Sequence, residues 1–290
     1  MKMLLNQTLN RSQGFLPARF FLALLVATVL FMAPPASVHA ALVAYDDFDT
    51  AVGSNDTLTS RSIGRGNWSG TYQSSTKIFG ITDRDEAVTQ GASNLLDTSV
   101  QAFDPFGILK TTDTSSVFAV EQPGDAQPNF TATWEFDLSS AGNNNLSVGI
   151  DFAAMGDWSG WNGAFLFTAS LDGGTEVELF KSGVGSSAWH NYYMENDEMF
   201  PPNPMQMQYV LTMDGAAIDN DFQRLYADIS EFAGEDTLTI KFTSIDIPDD
   251  PNVFAFDNIG VYATVPVPGT VWLLGAGFLG FIGIRCRYQN

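Results

Sequence analysis

Phe130-Thr131-Ala132-Thr133-Trp134-Glu135-Phe136-Asp137-Leu138 is the stretch on which the fold turns. Phe130, Ala132, Trp134, Phe136 and Leu138 alternate with Thr131, Thr133, Glu135 and Asp137. Successive side chains of a strand point to opposite faces, so this period of two predicts a strand with one buried face. Leu146, Val148, Ile150 and Phe152 repeat the pattern, as do Phe165, Phe167, Ala169 and Leu171, which run into the turn sequence Asp172-Gly173-Gly174. Val177 and Leu179 return from that turn, so residues 165–180 read as a hairpin. Met207, Tyr209, Leu211 and Met213 predict another strand before Asp214-Gly215, and Leu238, Ile240 and Phe242 the next. Shorter segments fall at 77–82 and 117–120, while Gly64 to Gly70 and the prolines at 201, 202 and 204 read as loop. No amphipathic helix of three turns and no internal repeat interrupts this series. Many short strands joined by glycine-rich turns predict an all-β, antiparallel jelly-roll β-sandwich.

Charge and composition exclude several functions. The chain has 33 acidic and 13 basic residues, and every acid lies between Asp46 and Asp257. Three basic residues precede residue 41 and two follow residue 264, so the segment between carries eight, a net charge of −25. Such a body repels phosphate at long range, and nucleic acid is excluded as a partner. The one cysteine is Cys286, so the body has no disulfide framework, no cysteine nucleophile and no thiolate metal site. His190 is the body's one histidine, which excludes a multi-histidine zinc or iron centre.

Both ends read as addresses. Lys2, Arg11 and Arg19 precede the apolar run 20–32, and Val38 and Ala40 suit signal peptidase, so residues 1–40 are expected to be a signal peptide cleaved before Ala41. At the other end, Val265-Pro266-Val267-Pro268 stops any strand or helix, and Gly269 to Ile284 is an uncharged run of 16 residues. That is near the short end of a membrane-spanning helix, and Arg285 and Arg287 supply the basic cytoplasmic flank. Val-Pro-x-Pro, then Leu273-Leu274-Gly275-Ala276-Gly277, then arginines, resembles the PEP-CTERM sorting signal of Gram-negative bacteria, with Val267 where the commonest form has Glu and Cys286 inside the basic cluster. The resemblance makes residues 265–290 a sorting signal with one transmembrane helix at about 269–284. It implies an exosortase-type processing enzyme as partner, a precursor tethered to the inner membrane, and delivery to the cell surface or extracellular matrix. The body is then residues 41–264, enough for one well-filled domain.

Phe222-Gln223-Arg224-Leu225-Tyr226-Ala227-Asp228-Ile229-Ser230-Glu231-Phe232-Ala233-Gly234, then Phe254-Ala255-Phe256-Asp257-Asn258-Ile259-Gly260-Val261, resembles the closing strands of jelly-roll domains in carbohydrate-binding modules. By alternation Asp257 shares a face with Val253, Ala255, Ile259 and Val261. A buried carboxylate is costly unless paired or metal-bound, and hard oxygen ligands suit Ca²⁺. A structural Ca²⁺ held by Asp257 with Asp47 or Asp49 is therefore expected, as the resemblance also implies; an Asp257 bonded to backbone amides is the alternative.

Gly156-Asp157-Trp158-Ser159-Gly160-Trp161-Asn162-Gly163 is the expected glycan site, with Trp158 and Trp161 to stack on sugar rings and Asp157 and Asn162 to fix hydroxyls. Satellite core at the sandwich end is the competing reading of those indoles. Glu135 and Asp137 lie on one strand face, but a third carboxylate is missing and no acid–base pair is set up, so no catalytic residue is assigned. The sequence thus predicts an exported, non-catalytic protein that binds glycan or builds matrix, with extracellular polysaccharide as partner. A sandwich-fold polysaccharide hydrolase is the alternative.

Overall fold

The computed structural model describes residues 40–54, 57–65, 68–69, 72–74, 77–90, 95–96, 107–110, 113–121, 130–141, 145–156, 158–185, 190–191, 206–207, 209–229, 237–245 and 252–264. The expected signal peptide, apart from Ala40, and the sorting signal from residue 265 with its apolar run lie outside them. Residues 40–265 form one compact unit.

Its strands run β1 (Ala40–Asp46), β2 (Leu58–Arg65), β3 (Trp68–Ser69), β4 (Tyr72–Ser74), β5 (Lys77–Thr82), β6 (Val117–Glu121), β7 (Phe130–Asp137), β8 (Leu146–Met155) and β9 (Ala164–Leu171). They continue with β10 (Val177–Val184), β11 (His190–Asn191), β12 (Gln206–Met207), β13 (Leu211–Met213), β14 (Ala216–Ala217), β15 (Gln223–Ile229), β16 (Thr237–Ile245) and β17 (Val253–Thr264). The one helix among the described residues is α1 (Arg84–Gln90), capped where the Glu86 backbone N–H donates to Asp83 Oδ1 at 2.7 Å. One sheet has the order β15-β8-β17-β6-β5-β4, with β1 on the C-terminal half of β17; the other has β14-β13-β10-β9-β16-β7-β2-β3. All strand pairings within the two sheets are antiparallel. The body is all-β, two antiparallel sheets packed as a sandwich. β7, β8 and β9 alternate between the sheets, and so do β15, β16 and β17.

Alternation builds the core. β7 buries Phe130, Ala132, Trp134 and Phe136, and β16 buries Leu238, Ile240, Phe242 and Ser244. Rings from the two inner faces meet: Phe165 stacks on Phe254 at 4.2 Å between centroids, and Phe242 meets Phe256 at 5.1 Å. A second, smaller cluster lies on the outer face of the β15–β8–β17–β6–β5 sheet. There Ala87 of α1 with Leu95, Leu96, Ile108 and Leu109 covers Ala119, Ala153, Val253 and Ala255.

Three expectations change. Gly64 and Arg65, read as the start of a loop, instead end strand β2, whose period of two is hidden by a register shift between buried Leu58 and Ser60. The strand read through Met207, Tyr209, Leu211 and Met213 is broken: Gln206–Met207 pairs with β11, and Leu211–Met213 pairs with β10. The alternation read through Asp257 also fails. A bulge between Asp257 and Gly260, with Asn258 at φ 52, inserts one residue and flips the faces. Asp257 keeps company with Val253 and Ala255 outside, while Ile259 and Val261 turn into the main core.

Candidate functional site

The indole loop does not form a platform on both tryptophans. Trp158 is fully buried, edge-on to Trp161 (5.0 Å) and Phe165 (5.9 Å). Its backbone N–H donates to the Tyr209 carbonyl at 3.1 Å, and the Trp161 N–H folds back to the Trp158 carbonyl at 3.3 Å. That hairpin-like return drives Trp158 under the loop, so it has no face for a sugar. Trp161 is half-buried against the core, Asn162 is exposed, and Asp157 lies outside the described residues. Glu135 and Asp137 share an outward face with no partner carboxylate in a cleft: Glu135 accepts from Ser60 Oγ at 2.8 Å, and the Ser139 hydroxyl and backbone N–H hold the Asp137 carboxyl below its usual range.

The acids at the body's start act electrostatically on Asp257 near its end. Burial of Asp257, which is 7% exposed, pushes its carboxyl up to about 7; the Asn258 N–H opposes this, and Asp151, Asp49 and Asp47 each add to it. The Asn258 backbone N–H donates to Asp257 Oδ1 at 2.6 Å, and its side-chain amide donates to Asp257 Oδ2 at 3.1 Å. Asp47 is engaged by the Thr50 N–H (2.9 Å) and hydroxyl (3.2 Å), and Asp49 by the Ser116 N–H (2.7 Å). Among the described residues, no three His, Cys, Asp or Glu side chains are grouped so as to hold a metal ion.

Strand register assembles a group that the sequence did not single out. Arg224 of β15 lies opposite Asp151 of β8, which lies opposite Asp257 of β17. Two carboxylates directly across a pair of strands repel. Arg224 offsets this with a two-pronged contact, Nε to Asp151 Oδ1 at 2.6 Å and Nη2 to Oδ2 at 2.8 Å. The Asn258 amide bridges the two acids, donating also to Asp151 Oδ2 at 3.0 Å. Arg224 further bonds the Asn258 carbonyl (3.0 Å) and the Tyr262 hydroxyl. The Asp151 bond raises the Arg224 pKa, and burial raises that of Tyr262.

One row further along the strands, Tyr226 (β15), Gly149 (β8), Gly260 (β17) and Tyr45 (β1) stand side by side. The next row is Asp228, Ser147, Tyr262 and Leu42. The polar row of Arg224, Asp151 and Asp257 therefore divides the outer face. The helix-covered cluster roofs one half; the other carries tyrosines. A hint was present in the sequence, since Arg224, Tyr226 and Asp228 alternate with Leu225, Ala227 and Ile229, but only the register joins them to β1, β8 and β17.

A two-sheet, all-β body with a polar and aromatic outer face defines a β-sandwich domain. Residues 264–287 match the PEP-CTERM protein-sorting motif. The motif marks a protein exported and sorted to the cell envelope or surface, and implies an exosortase as processing partner. No curated protein matches the chain. Among solved structures, the CBM22-1 xylan-binding domain of a Paenibacillus barcinonensis protein is 8% identical, with a TM-score of 0.30 over 80% of this chain and 100% of that one. A Stig cyclase of Fischerella sp. TAU is 11% identical, with a TM-score of 0.32 over 80% of this chain and 91% of that one. Among the described residues no helix is long and apolar enough to cross a membrane.

Proposed function

We propose that the chain is a non-catalytic jelly-roll protein of the cell surface or exopolysaccharide matrix, which binds glycan or builds matrix and is delivered by its tail. The observation that carries this reading is the sorting motif starting at Thr264, where β17 ends. In this reading residues 1–40 are a signal peptide, residues 41–264 the body, and the apolar run at 269–284 a transient membrane helix. The precursor is tethered to the inner membrane until the exosortase acts. Asp151 is held by Arg224 and Asp257 by Asn258, which supports binding over the hydrolase alternative. A structural Ca²⁺ at Asp257 with Asp47 or Asp49 belongs to the same reading; the repulsion that Asp49 and Asp47 exert on the Asp257 carboxyl is what a cation would relieve.

Fractionating cells that carry the tagged chain, with and without the exosortase gene, tests delivery. The body is expected outside the cell in the first case and held in the inner membrane in the second. Cytosolic, uncleaved protein in both would overturn the reading.

A further inference from the structure

We propose that the open half of the outer face formed by β15, β8, β17 and β1 binds an uncharged polysaccharide chain, with Tyr45, Tyr226 and Tyr262 as its stacking surface. This rests on the glycan-binding reading and names the site and ligand class for it.

The glycines show how the rings are set. A Cβ on Gly149 would stand 2.9 Å from Tyr226 Cε1 and 3.0 Å from Tyr262 Cε2, and one on Gly260 would stand 2.8 Å from Tyr262. Ring atoms of both tyrosines therefore sit over bare backbone, with centroids 5.6 Å apart and ring planes inclined at 66°. Glycine within a strand weakens it, so two side by side need a reason other than strand stability. Tyr226 remains 60% exposed, Tyr45 38% and Leu42 51%, so burial in the core does not account for this cluster. Tyr226 and Tyr45 offer exposed rings to the apolar side of a sugar, and Tyr262, under the Arg224 guanidinium at 5.9 Å, buttresses Tyr226 edge-on. Asp228, Ser147 and Asn258 stand beside them with groups that hydrogen-bond hydroxyls. From Tyr226 to Tyr45 is three strand spacings, about 14 Å, longer than one sugar ring and suited to a chain.

Charge selects the class of chain. Exposed Asp228 borders the rings, and the cation among these rows, Arg224, is held by both oxygens of Asp151. The whole chain carries a formal net charge of −20. An anionic polysaccharide, or an anionic lipid surface, meets repulsion here, and an uncharged chain does not.

The test uses the full chain in detergent. Binding is measured to cellulose, mixed-linkage β-glucan and mannan, to alginate as the anionic counterpart, and to zwitterionic and anionic phospholipid vesicles. Wild type is expected to bind at least one uncharged glycan. Tyr226→Ala and Tyr45→Ala are each expected to weaken that binding about tenfold, the equivalent of about 1.4 kcal/mol. Gly149→Ala, which displaces both rings, is expected to weaken it while the melting curve stays cooperative. Trp161→Ala and Asn162→Ala are expected to leave it unchanged. Tyrosine variants that fold and bind like wild type overturn the site and leave the glycan reading standing. Loss with Trp161→Ala instead moves the site to the indole loop and overturns this one. A wild type that binds alginate alone overturns the ligand class, and vesicle binding that Tyr226→Ala abolishes makes the face a membrane contact. No binding to any glycan overturns the underlying reading as well.

Discussion

Asp257→Asn should remove a pH dependence that the wild type carries in its stability. Burial raises the folded carboxyl from an ordinary 3.8 to about 7, with Asp151, Asp49 and Asp47 adding to it. Between those values the folded chain keeps a proton that the unfolded chain has released. Stability is therefore highest below pH 4, falls as pH rises through about 7, and is flat above. A shift of about three units amounts to at most about 4 kcal/mol at 1.36 kcal/mol per unit. Asparagine keeps an acceptor for the Asn258 N–H and has no charge to desolvate. The variant should therefore be more stable than wild type at pH 8 by about 1–4 kcal/mol, and nearly equal at pH 4. Asp46, also raised by burial, slopes the same way in both proteins and cancels in the difference. Urea unfolding at pH 4.5, 6 and 8 with chelator present measures the effect. Parallel pH profiles for the two proteins would refute the argument.

The remaining expectations concern packing and metal. Trp158→Ala should lower stability by about 3–5 kcal/mol, read from the urea midpoint, because a fully buried indole leaves a cavity; its glycan binding, where folded, should match wild type. Arg61→Ala should cost about 3–5 kcal/mol, because it strands the buried Asp46 carboxylate that Arg61 Nε meets at 2.8 Å; Asp46→Asn with Arg61→Ala should recover part of that loss in the same assay. Calcium at pH 8 should raise the melting temperature of wild type and not that of Asp257→Asn, and an unchanged wild-type melt after chelation would remove the metal from the account.

The fold was legible wherever one face of a strand is buried and the strand is unbroken. β7 and β16 show their period because Trp134 and Phe242 face one core and nothing interrupts the pleat. β2 was not legible, since its shift at Leu58–Ser60 breaks that period with only Leu58 and Ile63 buried. The indole loop misled because glycines beside aromatics suit both an exposed platform and a tight return, and the Trp158–Tyr209 bond that selects the return is a long-range contact. Asp257 was rightly picked out as a buried acid, but a bulge of one residue moved it to the outer face. The tyrosine face was beyond sequence reasoning: Tyr45, Gly149, Tyr226 and Tyr262 lie on four strands scattered along the chain and meet through register alone.

β17 also has a mechanical consequence. It runs for 12 residues with β8 on one side and β6, then β1, on the other, and it leads directly into the sorting motif. A pull transmitted from the tail acts along this strand, so the hydrogen bonds on both flanks are loaded together in shear instead of peeling one by one. The strand that hands the body to its sorting motif is thus clamped along both edges, so force on that end must break two rows of bonds at once.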